Sequence, residues 1–226
     1  MRNVFVCAAL ALALCSSCCS RSGESAPRSA DLLFVKIPAD YNLGEETMGG
    51  AIASSTAPSD SSLMTIHVAI LEVEKDSTWV IDATIKHGVD RYPLDTFLTD
   101  FRLKDGSLPV LEVKRPEVSR KEAIRFVENA KTYIGQPYDV YFLPDNGAMY
   151  CSELVYCSYV RADGEHLFSE YPMNFLDHDG KMPQYWTQLF SLLGQEVPQG
   201  VPGTNPQAMS TEPVLKDVCR LAENQP

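Results

Sequence analysis

Two runs rich in β-branched and aromatic residues, 65–73 and 78–84, stand four residues apart, and no other feature restricts the fold of this chain as much. Their alternating character predicts the two arms of a β-hairpin. Successive side chains of a strand point to opposite faces, so the loop length decides which residues meet. With an even number of loop residues, His67 and Asp82 share a face and Glu72 points the other way; a three-residue bulged loop reverses this. His67 is a lone histidine inside a strand pattern, whereas His87, His166 and His178 sit among turn-forming residues and read as surface positions.

The segment Tyr150-Cys-Ser-Glu-Leu-Val155 brings in chemistry. It predicts a helix over 151–161 with Cys151, Leu154, Val155 and Ser158 on one face. Cys151 then falls in the first turn, where free backbone N–H groups and the helix dipole favour a thiolate. A nucleophilic cysteine also needs a base that takes its proton and returns it to the leaving group, and His67 is the candidate. Asp82 is the candidate orienting acceptor for the second ring nitrogen, with Glu72 as its rival. The oxyanion would be held by the Cys151 N–H and a second donor; Tyr138 is a candidate, and a packing role fits that residue equally well. Glu153 is expected to anchor the helix through a buried hydrogen bond, and Cys157 to lie in the core. No Cys/His pairs show zinc-ligand spacing, so neither a metal nor a cofactor is expected.

Elsewhere the pattern predicts a strand over 32–36, a short helix over 48–56 and a loop over 57–62. Ser119 and Glu122 form a capping-box signature that opens a helix running to Tyr133 and stopping at Gly135. Residues 196–213, with four prolines and two glycines, read as a long loop before a last short helix over 214–221. At the start, Met1-Arg2-Asn3 precedes an apolar run too short to span a bilayer, so 1–19 reads as an export signal. Four of the seven cysteines lie in or beside it. Cys18 or Cys19 is the expected site of lipidation, 20–30 is a polar tether, and 31–226 forms one domain. The net charge of −11, with no basic cluster, argues against a nucleic-acid partner.

An ordered set of segments carries a family resemblance: Ala51-Ile52 through Thr56, His67 to Ile70, Val80-Ile-Asp-Ala83, Gly135-Gln-Pro-Tyr-Asp139, Tyr150 to Val155, and Val201-Pro-Gly-Thr-Asn-Pro206. Together they resemble the permuted papain-like hydrolases of the YiiX/YaeF type, relatives of the NlpC-type cell-wall cysteine peptidases. The resemblance implies a circularly permuted papain-like α+β fold with a small antiparallel sheet packed against the nucleophile helix. It implies Cys151 as nucleophile, His67 as base and Asp82 as third residue, in a family that more often places Glu there. In unpermuted relatives the cysteine precedes the histidine, whereas here the order is reversed. Triads are recognised by geometry rather than chain order.

These readings make the chain an exported thiol amidase or peptidase of the bacterial cell envelope, periplasmic or lipid-anchored, that works through an acyl-enzyme. Its expected substrate is a peptide or acyl amide, with peptidoglycan peptides suggested by location and kinship. The alternatives are acyl transfer or hydrolysis on lipid or N-acyl substrates, and a binding module with the same pocket and no turnover. A monomer is expected.

Overall fold

The computed structural model describes residues 25–221 apart from 42, 44–46, 59–60 and 76. The expected export signal, with Cys18 and Cys19, and the first residues of the tether lie outside these. In chain order the elements begin β1 (Leu32–Pro38), α1 (Met48–Thr56), β2 (Leu63–Glu74), β3 (Ser77–Thr84), β4 (Gly88–Pro93), α2 (Leu94–Asp100) and β5 (Val110–Pro116). They continue α3 (Arg120–Lys131), α4 (Cys151–Ser158), β6 (Tyr171–Pro172), α5 (Gln184–Leu193), β7 (Pro202–Gly203), α6 (Pro206–Ser210) and β8 (Leu215–Leu221).

Six strands form one antiparallel sheet in the order β4-β3-β2-β1-β5-β8, larger than the small sheet expected. β4 and β5 carry no strong alternation, and each is placed by its neighbours rather than by its own pattern. The hairpin of β2 and β3 pairs Glu74 with Ser77 and turns through two residues, with Lys75 at φ 48°. That even loop sets Ile70 opposite Ile81 and Glu72 opposite Trp79, so His67 and Asp82 fall on one face as the parity rule requires.

Alternation divides the buried residues between the two faces of the sheet. Val68, Ile70 and Ile81 pack with Phe126, Leu154, Val155 and Tyr159, which brings α3 and α4 onto one face. Ala69, Leu71 and Val80 pack with Phe97 on the other, under α2. A third cluster of Ala51, Phe142, Tyr150, Phe175, Trp186 and Phe190 ties α1 and α5 to the start of α4.

The helix at 48–56 and the capping box at Ser119 and Glu122 form as expected; Ser119 Oγ accepts from Glu122 N and Glu122 Oε2 from Ser119 N at 3.0 Å. The helix that opens at Cys151 is shorter than expected and ends at Ser158. The last segment is a strand, not a helix. Leu215, Val218 and Cys219 have helical spacing, but β8 pairs with β5 and its register shifts between Val113 and Lys114. The bulge takes up one residue, so Val218 and Cys219 both pack on the α2 side while Leu215 packs on the other. The expected 196–213 loop also contains α6, opened by Asn205 Oδ1 accepting from Ala208 N and by Pro206 at its first position.

Candidate active site

Cys151 is the first residue of α4, where its backbone N–H has no carbonyl one turn earlier to bond. Glu153 fixes the entry: its Oε2 accepts from Tyr150 N at 3.3 Å, the buried anchoring bond expected of it. Burial pushes the Glu153 carboxyl up to about 8; the Tyr150 N–H works against this, and the nearby Asp139, Asp145 and Glu170 carboxylates add to it. A group raised in this way from 4.5 gives stability that is complete below that value and is lost as pH rises through about 8. The loss is on the order of 4 kcal/mol. Denaturant unfolding at acid and mildly alkaline pH is therefore expected to show a less stable protein at the alkaline end, and Glu153→Gln should flatten that difference. An unchanged pH slope in the variant would place its origin elsewhere.

His67 sits where β2 slips against β1: Val35 faces His67, Lys36 faces Thr65, and Ile66 is the extra residue. Bulges of this kind re-aim a neighbouring side chain. The His67 ring packs against Phe101, with centroids 4.7 Å apart, and its Nε2 lies 2.9 Å from Asp82 Oδ2. The ring also interacts with the Cys151 side chain, and since Nε2 faces Asp82 it is Nδ1 that remains for the sulfur. Burial alone would lower the His67 pKa, but the negative charge at Cys151 and the Asp82 carboxylate outweigh it and raise the group to about 10. The imidazolium is thus the favoured form of His67. Its stabilisation is complete below 6.5 and is lost as pH rises through about 10.

Asp82 is fully buried and accepts a second hydrogen bond, from Tyr92 Oη to Oδ1 at 2.7 Å. Burial and that carboxylate hold Tyr92 protonated far above the ordinary tyrosine range, so it remains a donor. Tyr92 was not foreseen; only its place in β4, paired with Val80, brings it to Asp82. Glu72, the rival acceptor, is engaged by Arg91 and Lys131 and is not beside His67.

Tyr138 is held next to Cys151 by the Gly135 to Asp139 segment. Met149 N donates to Pro137 O and Asp139 N to Met149 O, both at 3.0 Å, while Asp139 accepts from Tyr141 N and Leu143 N and closes the turn. The turn is stitched to β4 by Val89 N to Gln136 O at 2.8 Å. A Cβ at Gly88 would come 2.5 Å from Gln136 O, so only glycine permits this approach. Tyr138 and Cys151 both line a cavity of about 190 Å³ walled by α1, α5 and the third aromatic cluster. His87 bonds Asp100, and His166 stacks on Tyr156, both apart from this centre. Cys157 packs at the margin of the α4 core, and burial pushes its thiol up to about 12.

An antiparallel sheet crossed by a helix that begins at a cysteine, with a histidine and a carboxylate joined to it from neighbouring strands, defines a papain-like α+β protein. Residues 47–219 match the family of permuted papain-like amidase enzymes, YaeF/YiiX, C92, and the chain belongs to that family. It is 24% identical over 197 residues to the uncharacterized protein YiiX of Escherichia coli strain K12, covering 86% of this chain and 87% of that one. The fold is similar to the crystal structure of metalloprotein yiiX from Escherichia coli O157:H7, with a TM-score of 0.64, 24% identity, and 87% of this chain and 99% of that chain covered. Among the described residues of this chain, no group of three or more His, Cys, Asp or Glu side chains is placed to hold a metal ion.

Proposed function

We propose that this protein is an exported thiol amidase that cleaves an amide through a Cys151 acyl-enzyme, with α4 as the nucleophile helix. The observation that carries this reading is the grouping of Cys151 with His67, whose ring is hydrogen-bonded to Asp82, which in turn accepts from Tyr92. Cys151 Sγ attacks the amide carbon, and the oxyanion is met by the Cys151 N–H, with the Tyr138 hydroxyl, which otherwise donates to Met48 Sδ at 3.4 Å, as the candidate second donor. His67 then passes its proton to the amine nitrogen as the C–N bond breaks, leaving a thioester. Water, activated by the now neutral His67, hydrolyses it. Asp82 holds the imidazole in orientation throughout. Export, with a lipid anchor at Cys18 or Cys19, belongs to the same proposal and rests on the sequence of residues 1–30.

The test is the pH dependence of alkylation by iodoacetamide in the full chain with Cys157 and Cys219 replaced by Ser. Alkylation of Cys151 is expected to stay fast at pH 6, where ordinary thiols are almost wholly protonated. In His67→Ala it is expected to drop to the rate of a free thiol. If the two proteins react alike across the range, the Cys–His pair is not operating and a binding module is the better reading.

A further inference from the structure

If Cys18 or Cys19 carries a lipid, the face on which the chain enters the domain lies beside a bilayer, and the inference rests on that part of the proposal. The tether is clamped early. Arg115 Nη2 donates to Ala26 O at 2.7 Å, Arg28 N donates to Asp31 Oδ2 at 2.8 Å, and Ser29 Oγ accepts from Val73 N at 2.9 Å at the end of β2. Only six or seven residues of chain separate Cys19 or Cys18 from Ser25, a span of at most about 25 Å even when fully extended.

The same face gathers basic residues that the sequence scatters. Arg28, Arg115 and Arg120 line a cavity of about 550 Å³, and Asp31 is the one acid among its described lining residues. Arg115 neutralises that acid, through Nε to Oδ1 at 2.8 Å and Nη2 to Oδ2 at 2.7 Å. Arg28 and Arg120 are exposed, as is Lys121 beside them on α3. Among the described residues no hydrogen bond or ion pair engages the side chain of Arg120 or Lys121. Ile124, one turn further along α3, is 54% exposed and sets an apolar tip next to both. The neighbouring acids are matched: Glu122 accepts from Ser119 and Arg161, and Glu117 pairs with Lys216.

A chain of net charge −11 is repelled by an anionic surface over most of its area, so a face of surplus positive charge decides which side approaches. Phospholipid phosphates suit this face, because guanidinium groups present paired donors to phosphate oxygens. The attraction acts within a Debye length, about 8–10 Å, and the short tether keeps the face near that range.

The reacting centre lies towards the other end of the domain. Tyr159, just past α4, donates through Oη to Ala30 O at 3.0 Å, whereas Cys151 opens that helix about 12 Å away along its axis. In the sheet, Ala30 N bonds Leu71 O, and Val35, which faces His67, is about 17 Å further along the strand. We infer that Arg28, Arg120, Lys121 and Ile124 dock on an anionic phospholipid surface, with lipid phosphate at the arginines, and hold Cys151 and His67 on the side away from the bilayer. The substrate amide then arrives from outside the membrane rather than from a lipid within it.

Amine labelling of the full chain purified from bacterial membranes tests this, with the acyl group first read from the mass of the N-terminal peptide. The protein is placed in vesicles of phosphatidylcholine, or of equal parts phosphatidylcholine and phosphatidylglycerol, and treated with a water-soluble acetylating ester. Acetylation of Lys121 is expected to slow at least about fivefold on the anionic vesicles, the factor that one Lys or Arg contributes near such a surface. Lys104 and Lys181, exposed on other faces, are expected to react alike on both. Arg120→Glu combined with Ile124→Glu is expected to abolish the slowing at Lys121 and leave thermal unfolding unchanged. Equal acetylation of Lys121 on the two vesicles, or a slowing shared by Lys104 and Lys181, would overturn the docking face and leave the anchor standing. An N-terminal peptide without an acyl mass would overturn the anchor and this inference with it.

Discussion

Replacing Cys151 with alanine is expected to abolish turnover, by a factor on the order of 10⁴ or more in kcat/KM, while leaving the protein folded. The reason lies in the unequal demands on the residue. Its sulfur is the bond-forming atom of the proposed acyl-enzyme, and no other described thiol lies beside His67: Cys157 is held unreactive by burial, and Cys219 is on β8. Structurally the change is small. Cys151 contributes one small buried side chain to a core that keeps Leu154, Val155 and Tyr159. Thermal unfolding of the variant is therefore expected within a few degrees of the parent, and a parallel activity measurement should show nothing above the uncatalysed rate. Residual activity that persists in Cys151→Ala and is titrated by a thiol reagent would assign catalysis to a different cysteine.

The second large effect concerns Asp82, and it has a signature that a general loss of stability would not produce. Its two oxygens serve two donors: Oδ2 faces His67 Nε2 at 2.9 Å and Oδ1 accepts from Tyr92 Oη at 2.7 Å. Asparagine has one acceptor oxygen. In Asp82→Asn either the imidazole or the tyrosine must face an NH₂ group, and kcat/KM is expected to fall by about 10²- to 10³-fold. Tyr92→Phe removes one of the competing donors. Introduced alone it should cost mainly stability, about 1–3 kcal/mol for the buried Oδ1 it leaves without a donor. Introduced together with Asp82→Asn it should restore activity, because the single amide oxygen is then free for His67 and the NH₂ group no longer meets a donor. A double variant more active than Asp82→Asn alone is the expected result, measured as kcat/KM with a thiol-reactive ester. A double variant weaker than both single ones would mean that Tyr92 acts on the site other than through Asp82.

The grouping of Cys151, His67 and Asp82 was legible in the sequence because each of these residues carries a local signal. Cys151 is marked by an apolar helix start, and His67 and Asp82 are joined by the parity of one hairpin, which needs only a loop length to settle it. Tyr92 carried no such mark, since its role depends on the pairing of β4 with β3 and not on any pattern of its own. The aromatic cavity was invisible for a related reason. Phe142, Phe175 and Trp186 come from a loop, a second loop and α5, and they share no period that a linear reading could detect. The last segment misled for a physical reason: a bulge in a paired strand reproduces the i, i+3, i+4 spacing of a helix, and only the open edge of β5 decides between them.

The strand order has a consequence for anyone who trims this protein. Among the described residues β1 is the earliest strand, yet it lies inside the sheet with β2 on one side and β5 on the other, whereas β8 is an outermost strand. The two ends of the domain are therefore unequal under truncation. Cutting into β1 splits the sheet between its two halves and leaves two rows of backbone donors and acceptors without partners, so a shortened expression product missing residues 32–38 should collect as aggregate. Removing 215–221 strips one margin only, and what it leaves behind is a sticky border along β5 that invites a second molecule to supply the missing strand.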